Sequence, residues 1–292
     1  MKYINKFQTV AAYDEAEKYY PNVSYIEATD EVRYQETDPT ITVAIYTTTS
    51  ANQNVKILNN QERFDSIVID GEAQTIGTDI LNHTFATTGN HKVELVCKYV
   101  TLPDNCFDGC TELTDITLST LITGMNGNVF HGCTGLTSVK IGYSVTYIYG
   151  AVYYDSPNIT SITVDRGNTV YNDGNGSNCI IKTSTNELIQ GCKNTVIPNT
   201  VTKIDNIAFR IMGLTGALNI PASVTSIGDS AFMNNMGITS ITCNATTPPT
   251  LGSNVFYNIP ATCPIYVPAA SVDAYKAASG WSDRAAYIQA IP

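Results

Sequence analysis

Val201-Thr202-Lys203-Ile204-Asp205-Asn206-Ile207-Ala208-Phe209 returns 23 residues later as Val224-Thr225-Ser226-Ile227-Gly228-Asp229-Ser230-Ala231-Phe232. Working outward, the aromatic residue recurs at Phe107, Phe130 and Tyr153, and again at Phe209, Phe232 and Phe256. Eleven residues beyond each aromatic lies an apolar residue. With Ile197 included, that series reads Leu118, Ile141, Val164, Ile197, Ile220, Cys243 and Val267, in steps of 23, 23, 33, 23, 23 and 24. Two landmarks sharing one period mark a stacked repeat.

Other apolar positions keep the same phase. Leu102, Met125, Ile148, Ile204, Ile227 and Leu251 stand five residues before the aromatic, and Ile116, Val139, Ile162, Leu218, Ile241 and Ile265 stand nine after it. Between the two inward positions lies Thr117, Lys140, Thr163, Asn219, Thr242 or Tyr266, the period-two alternation of a strand with one buried face. One turn of this length cannot cover its own apolar edge. Stacked turns cover each other, each enclosed Ile, Leu or Phe contributing roughly 1.5–3 kcal/mol.

Gly132-Cys133-Thr134-Gly135-Leu136-Thr137-Ser138-Val139, together with the two stretches quoted first, resembles the BspA-type leucine-rich repeats of gut and oral bacteria. The resemblance covers residues 98–292 and implies a right-handed, gently curved solenoid used for adhesion or for binding host and matrix components. Tyr153 stands where that pattern has Phe, and Ile211-Met212-Gly213 where it has Gly-Cys. The long step of 33 is attributed to Cys179-Ile180-Ile181-Lys182-Thr183 and Glu187-Leu188-Ile189-Gln190-Gly191-Cys192, read as a hairpin around the three-residue turn Ser184-Thr185-Asn186.

These readings divide the chain into an N-terminal helix and hairpin extension (1–37), a small β module (38–97), the repeat solenoid (98–268, with the insert near 166–193) and a C-terminal cap (269–292). The expected fold is mainly β: a leucine-rich-repeat solenoid, a small N-terminal β-sandwich-like module and a C-terminal helical cap. Strand-like runs occur at 41–48, 54–58, 66–69 and 92–98. The stretch His83-Thr84-Phe85-Ala86-Thr87-Thr88-Gly89-Asn90-His91-Lys92-Val93-Glu94-Leu95 resembles the last hairpin of immunoglobulin-like modules of the PKD kind. Residues 9–19 suit a short amphipathic helix, and 23–34 a hairpin. After Pro268, alanines, Ser271 and Gly280 predict a short helix, with Trp281, Tyr287, Ile288 and Ile291 covering the last turn.

The net charge of −10 and the lack of a basic cluster argue against nucleic-acid binding, and no apolar run approaches the roughly 20 residues of a membrane helix. The opening Met1-Lys2-Tyr3-Ile4-Asn5-Lys6-Phe7-Gln8 is basic but lacks the apolar run of a secretory signal, although the composition suits the cell surface or the extracellular space. Cys110 and Cys133 share one repeat position and read as buried, free thiols. His83, His91 and His131 stand at no catalytic or metal-binding spacing, so no enzyme, cofactor or metal is expected. Asp173-Gly174-Asn175-Gly176-Ser177-Asn178 lacks the Gly and Glu of a calcium loop and reads as a turn.

What remains is surface. Tyr143, Tyr147, Tyr149 and Tyr154, with Tyr171 just beyond, form a cluster of rigid, amphipathic side chains; Tyr153 belongs to the core. With the outward strand residues Thr117, Lys140, Thr163, Asn219 and Thr242 they make the candidate binding face, for a protein or glycan ligand. The reading is of a non-catalytic adhesion or binding protein. The alternative is a structural or receptor-binding component of a bacteriophage virion or other surface assembly.

Overall fold

The computed structural model describes residues 23–26, 31–34, 40–150 and 152–292. Two short strands, β1 (Val23–Ile26) and β2 (Glu31–Tyr34), pair antiparallel. The helix expected at 9–19 lies outside the described residues.

The next strands are β3 (Ile41–Thr48), β4 (Gln53–Leu58), β5 (Phe64–Ile69), β6 (Glu72–Ala73), β7 (Leu81–Phe85) and β8 (Gly89–Cys97). Alternation along β3 buries Thr42, Ala44, Tyr46 and Thr48 and turns the residues between them outward. The stretch from His83 to Leu95 is not a hairpin: β7 pairs with β4, whereas β8 pairs with β3 and β5. The chain changes sheets around Gly89, whose φ of 113° suits a glycine, and the Thr48 hydroxyl holds the crossing by donating to the Thr87 carbonyl at 3.0 Å. Phe85 and His91 stack at 3.9 Å as a contact between sheets, not as partners across one.

Two kinds of strand follow in alternation, one of each per turn. Those of two residues are β9 (Thr101–Leu102), β11 (Gly124–Met125) and β13 (Tyr147–Ile148), in parallel register; the longer ones are β10 (Leu113–Thr117), β12 (Ser138–Ile141) and β14 (Ser161–Val164). The pattern then breaks at β15 (Tyr171–Asn172), β16 (Cys179–Lys182) and β17 (Glu187–Gly191), and resumes with β18 (Lys203–Ile204), β19 (Thr215–Ile220), β20 (Ser226–Ile227), β21 (Gly237–Cys243), β22 (Thr250–Leu251) and β23 (Ile265–Val267). Leu102, Met125, Ile204 and Ile227 point inward from the short strands. Val139, Ile141, Ile162, Ile241 and Ile265 do so from the long ones. The protein is therefore a mainly β solenoid with a spacing of about 23 residues.

The recurring aromatics form a stack through the interior. Ring centroids lie 5.3 Å apart for Phe107 and Phe130 and 5.4 Å for Phe130 and Tyr153; beyond the insert, Phe209 and Phe232 are 5.1 Å apart and Phe232 and Phe256 6.0 Å. Between Tyr153 and Phe209 the aromatic is missing. Gly191 occupies the gap, and a Cβ built there would lie 2.0 Å from the Phe209 ring. The main-chain N–H of Tyr153 would otherwise lack the partner that Val129 and Val152 carbonyls give Phe107 and Phe130; the Gln190 side-chain oxygen accepts it at 3.1 Å.

The hairpin insert pairs β16 with β17, but its loop is Thr183–Asn186, four residues instead of three, because Lys182 pairs with Glu187. A bulge between Ile180 and Ile181 restores the register, so that Cys179 faces Gly191.

Both ends of the stack are covered. At the start, β3 pairs antiparallel with β10, and β4 takes the place of a preceding turn: Asn59 N–H donates to the Cys106 carbonyl at 2.8 Å and the Cys110 thiol to the Ile57 carbonyl at 3.2 Å. At the end, helix α1 (Val272–Ala277) buries Tyr275, and β24 (Ile288–Ala290) adds a parallel strand to β23. Trp281 continues the aromatic stack, 5.5 Å from Phe256 and edge-on to Tyr275, with its indole N–H on the Pro249 carbonyl at 2.8 Å. Tyr287 and Ile291, expected to cover the last turn, are exposed; β24 points Ile288 inward and leaves its neighbours out.

Candidate binding surface

Each outward position of a solenoid repeats once per turn, so the other turns show what packing alone requires there. In the column set by the first residue of each short strand, the register aligns Thr101, Gly124 and Tyr147, and after the insert Lys203, Ser226 and Thr250. Two residues further on, the inter-turn hydrogen bonds align Pro103, Asn126 and Tyr149 with Asp205, Gly228 and Gly252. Packing is satisfied in both columns by small or polar residues. Tyr147 and Tyr149 are nonetheless tyrosines, 47% and 63% exposed, with ring centroids 6.3 Å apart. They lean over Gly124 and Gly127 of the preceding turn, where an added Cβ would come within 3.3 Å of the Tyr147 ring and 3.7 Å of the Tyr149 ring.

On the other side of the same columns lies a pocket of about 260 Å³. Thr101, Pro103 and Asn126 line it from β9, β11 and the residues after them, Asn60 and Arg63 from the segment between β4 and β5, and Tyr99 and Asp104 from either side of β9. The Arg63 guanidinium sits 5.4 Å from the centre of the Tyr99 ring, within cation–π range. Asp104 accepts the Gly127 N–H at 2.8 Å through one carboxylate oxygen. Among the described residues, the Asn126 amide and the hydroxyls of Thr101, Tyr99, Tyr147 and Tyr149 make no hydrogen bond.

The remaining candidate residues are tyrosines elsewhere on the chain and outward residues of the paired long strands. Tyr143 is exposed at the corner after β12, where its Cβ would lie 3.5 Å from a Cβ added at Gly167. Tyr154 is half-buried, its ring 4.3 Å from the His131 ring and 5.3 Å from the Arg210 guanidinium. Tyr171 is buried, and its hydroxyl accepts the Ile148 N–H at 3.0 Å, which explains it as packing of the insert against β13. Thr117, Lys140 and Thr163 are exposed on the long-strand face before the insert. Asn219, which accepts a hydrogen bond from Asn244, and half-buried Thr242 lie on that face after it. The structure thus brings Tyr147 and Tyr149 together on the short-strand face, sets Lys140 beside Thr163 and Asn219 beside Thr242 on paired long strands, and leaves Tyr143 and Tyr154 outside both groups.

His131 is held at the repeat corner, with Nδ1 2.5 Å from Asp108 and Nε2 3.7 Å from Asp155. All eight cysteines are free, and burial pushes the Cys133 thiol up to about 12 and that of Cys97 to about 11. Asp173 accepts the Gly176 N–H at 3.0 Å within a turn.

Sequence reasoning missed Asn60, Arg63, Tyr99 and Asn126. The signal for Asn126 was present in the repeat alignment, which places it one turn before Tyr149. The contribution of Asn60 and Arg63 depends on how the segment between β4 and β5 sits against β9.

The model of the BspA type Leucine rich repeat region matches the chain in six copies, over residues 54–182 and 181–271. Among solved structures, the chain is similar to a leucine rich cell surface protein from Faecalibacterium prausnitzii, with 20% identity, 66% of this chain and 57% of that chain covered, and a TM-score of 0.45. A leucine-rich repeat protein from Eubacterium ventriosum shares 20% identity over 51% of this chain and 46% of that one, with a TM-score of 0.37. The pneumococcal vaccine antigen PcpA shares 11% over 58% of each chain, with a TM-score of 0.36. The chain thus spans 46% to 58% of the length of these proteins. No curated protein matches it.

Proposed function

The chain belongs to the BspA-type leucine-rich repeat family, and from that premise we propose that it is a non-catalytic binding protein that presents its solenoid surface to a protein or glycan ligand at a bacterial cell surface. One observation carries this reading: exposed aromatics occupy outward repeat positions that small or polar residues fill equally well in the other turns. Rigid side chains with an apolar body and a polar tip favour recognition over solvation. The family and the solved relatives, one of them called a cell surface protein, support the same location.

The purified chain, immobilised and exposed to arrays of host-surface proteins and of glycans, tests the proposal. Saturable capture of at least one ligand is expected. Failure to retain any member of either array, by a chain whose circular dichroism shows it folded, would overturn it.

A further inference from the structure

Resting on that reading, we infer that the short-strand face of the first three turns holds a site for a neutral, pyranose-based oligosaccharide. The site runs from the pocket beside Tyr99 and Asn126 to the Tyr147 and Tyr149 rings.

Three features favour a sugar. Aromatic rings stand at both ends of a polar floor: Tyr99, within cation–π range of Arg63, beside β9, and Tyr147 with Tyr149 on and beyond β13. A pyranose presents a flat face of C–H groups to such rings and a rim of hydroxyls to polar neighbours. The floor supplies the complement to those hydroxyls: the Asn126 amide, both donor and acceptor, and the Thr101 hydroxyl, neither of which has a hydrogen-bond partner among the described residues. The volume of about 260 Å³ suits one sugar ring and is small for the side-chain cluster of a protein partner.

The strand at the middle of this face, β11, offers a peptide no edge, because it is already paired on both sides, with β9 and with β13. The charge also selects. Arg63 is the cation of the pocket and lies 3.9 Å from the Glu62 carboxylate, so a negatively charged sugar meets a partly neutralised guanidinium on a chain of net charge −10. A neutral glycan avoids that repulsion.

The test uses the full chain, with cello-, malto-, manno- and N-acetyllactosamine oligosaccharides as neutral probes and oligogalacturonate as the acidic one. Binding is read by saturation-transfer NMR and calorimetry. Saturable binding of at least one neutral probe is expected, with magnetisation transferred from tyrosine ring protons. Tyr149→Ala and Asn126→Ala should each weaken it about tenfold or more, whereas Ser226→Ala, in the Tyr147 column beyond the insert, should not. Because these side chains are exposed or without partners, unchanged melting curves will show that the variants fold.

Three results would overturn the inference: no neutral probe bound tighter than about 10 mM, binding indifferent to both variants, or preference for oligogalacturonate. Capture of a protein ligand that no oligosaccharide displaces would likewise sink the sugar site while leaving the binding function intact; absence of any protein or glycan ligand would remove both.

Discussion

One position, three residues after the aromatic, shows how the repeat uses single side chains. Cys133 donates its thiol to the Phe107 carbonyl at 3.0 Å, Ser156 its hydroxyl to the Phe130 carbonyl at 3.0 Å, and Asn235 its amide to the Phe209 carbonyl at 2.7 Å. Each side chain thus adds a second donor to the carbonyl of the aromatic one turn back, which already accepts a main-chain N–H of its own turn. The sequence reveals Cys110 and Cys133 as small and buried, but their role as donors appears only once the turns are stacked. Ser can therefore replace Cys here: Cys133→Ser should change stability by less than about 1 kcal/mol. Asn235 also donates to the Phe232 carbonyl at 2.9 Å and accepts the Leu214 N–H at 3.0 Å, so Asn235→Ala strands two buried main-chain groups, while the Phe209 carbonyl keeps the Met212 N–H. A loss of about 3 kcal/mol is expected. Urea denaturation of both variants measures the contrast.

At the scale of elements, the hairpin insert and the C-terminal cap solve the same problem, an interrupted stack, in different ways. The insert puts Gly191 where a turn would otherwise place an aromatic, and Phe209 packs into the space. Gly191→Ala should cost about 3 kcal/mol, because its methyl would overlap the ring, and Phe209→Leu in the same chain should recover part of that loss. An equal loss in the single and double variants would show that the ring is not the obstacle. The cap instead extends the stack through Trp281. Trp281→Ala removes the contacts with Phe256 and Tyr275 and leaves the Pro249 carbonyl unpaired, a loss of about 3–5 kcal/mol. Hydrogen exchange should quicken first in β22 and β23, the strands of the uncovered turn, while β9 and β11 keep their protection.

Over the whole molecule, the buried thiols tie stability to pH. Burial raises Cys133 and Cys179 from 9.0 to about 12, so the folded chain holds protons that the unfolded chain releases. Their contribution is complete below about pH 9 and declines as pH rises towards 12. The melting temperature should fall between pH 9 and 11 and fall less steeply in the Cys133→Ser, Cys179→Ser double variant; parallel curves would rule the thiols out as the cause. The insert also leaves a seam across the molecule. The Gln190 Nε2 and Arg210 Nε atoms, buried without hydrogen-bond partners among the described residues, both lie there. The sequence by itself determined the period, the inward residues of each turn, the place of the insert and the anchoring role of Trp281, because burial recurring at a fixed spacing is written locally, turn by turn. Only the tertiary structure decided that β7 and β8 enter different sheets, that the insert loop has four residues, and that Asn60, Arg63, Tyr99 and Asn126 line one pocket. Those outcomes depend on strand pairings and contacts between segments with no common period, which no local spacing records.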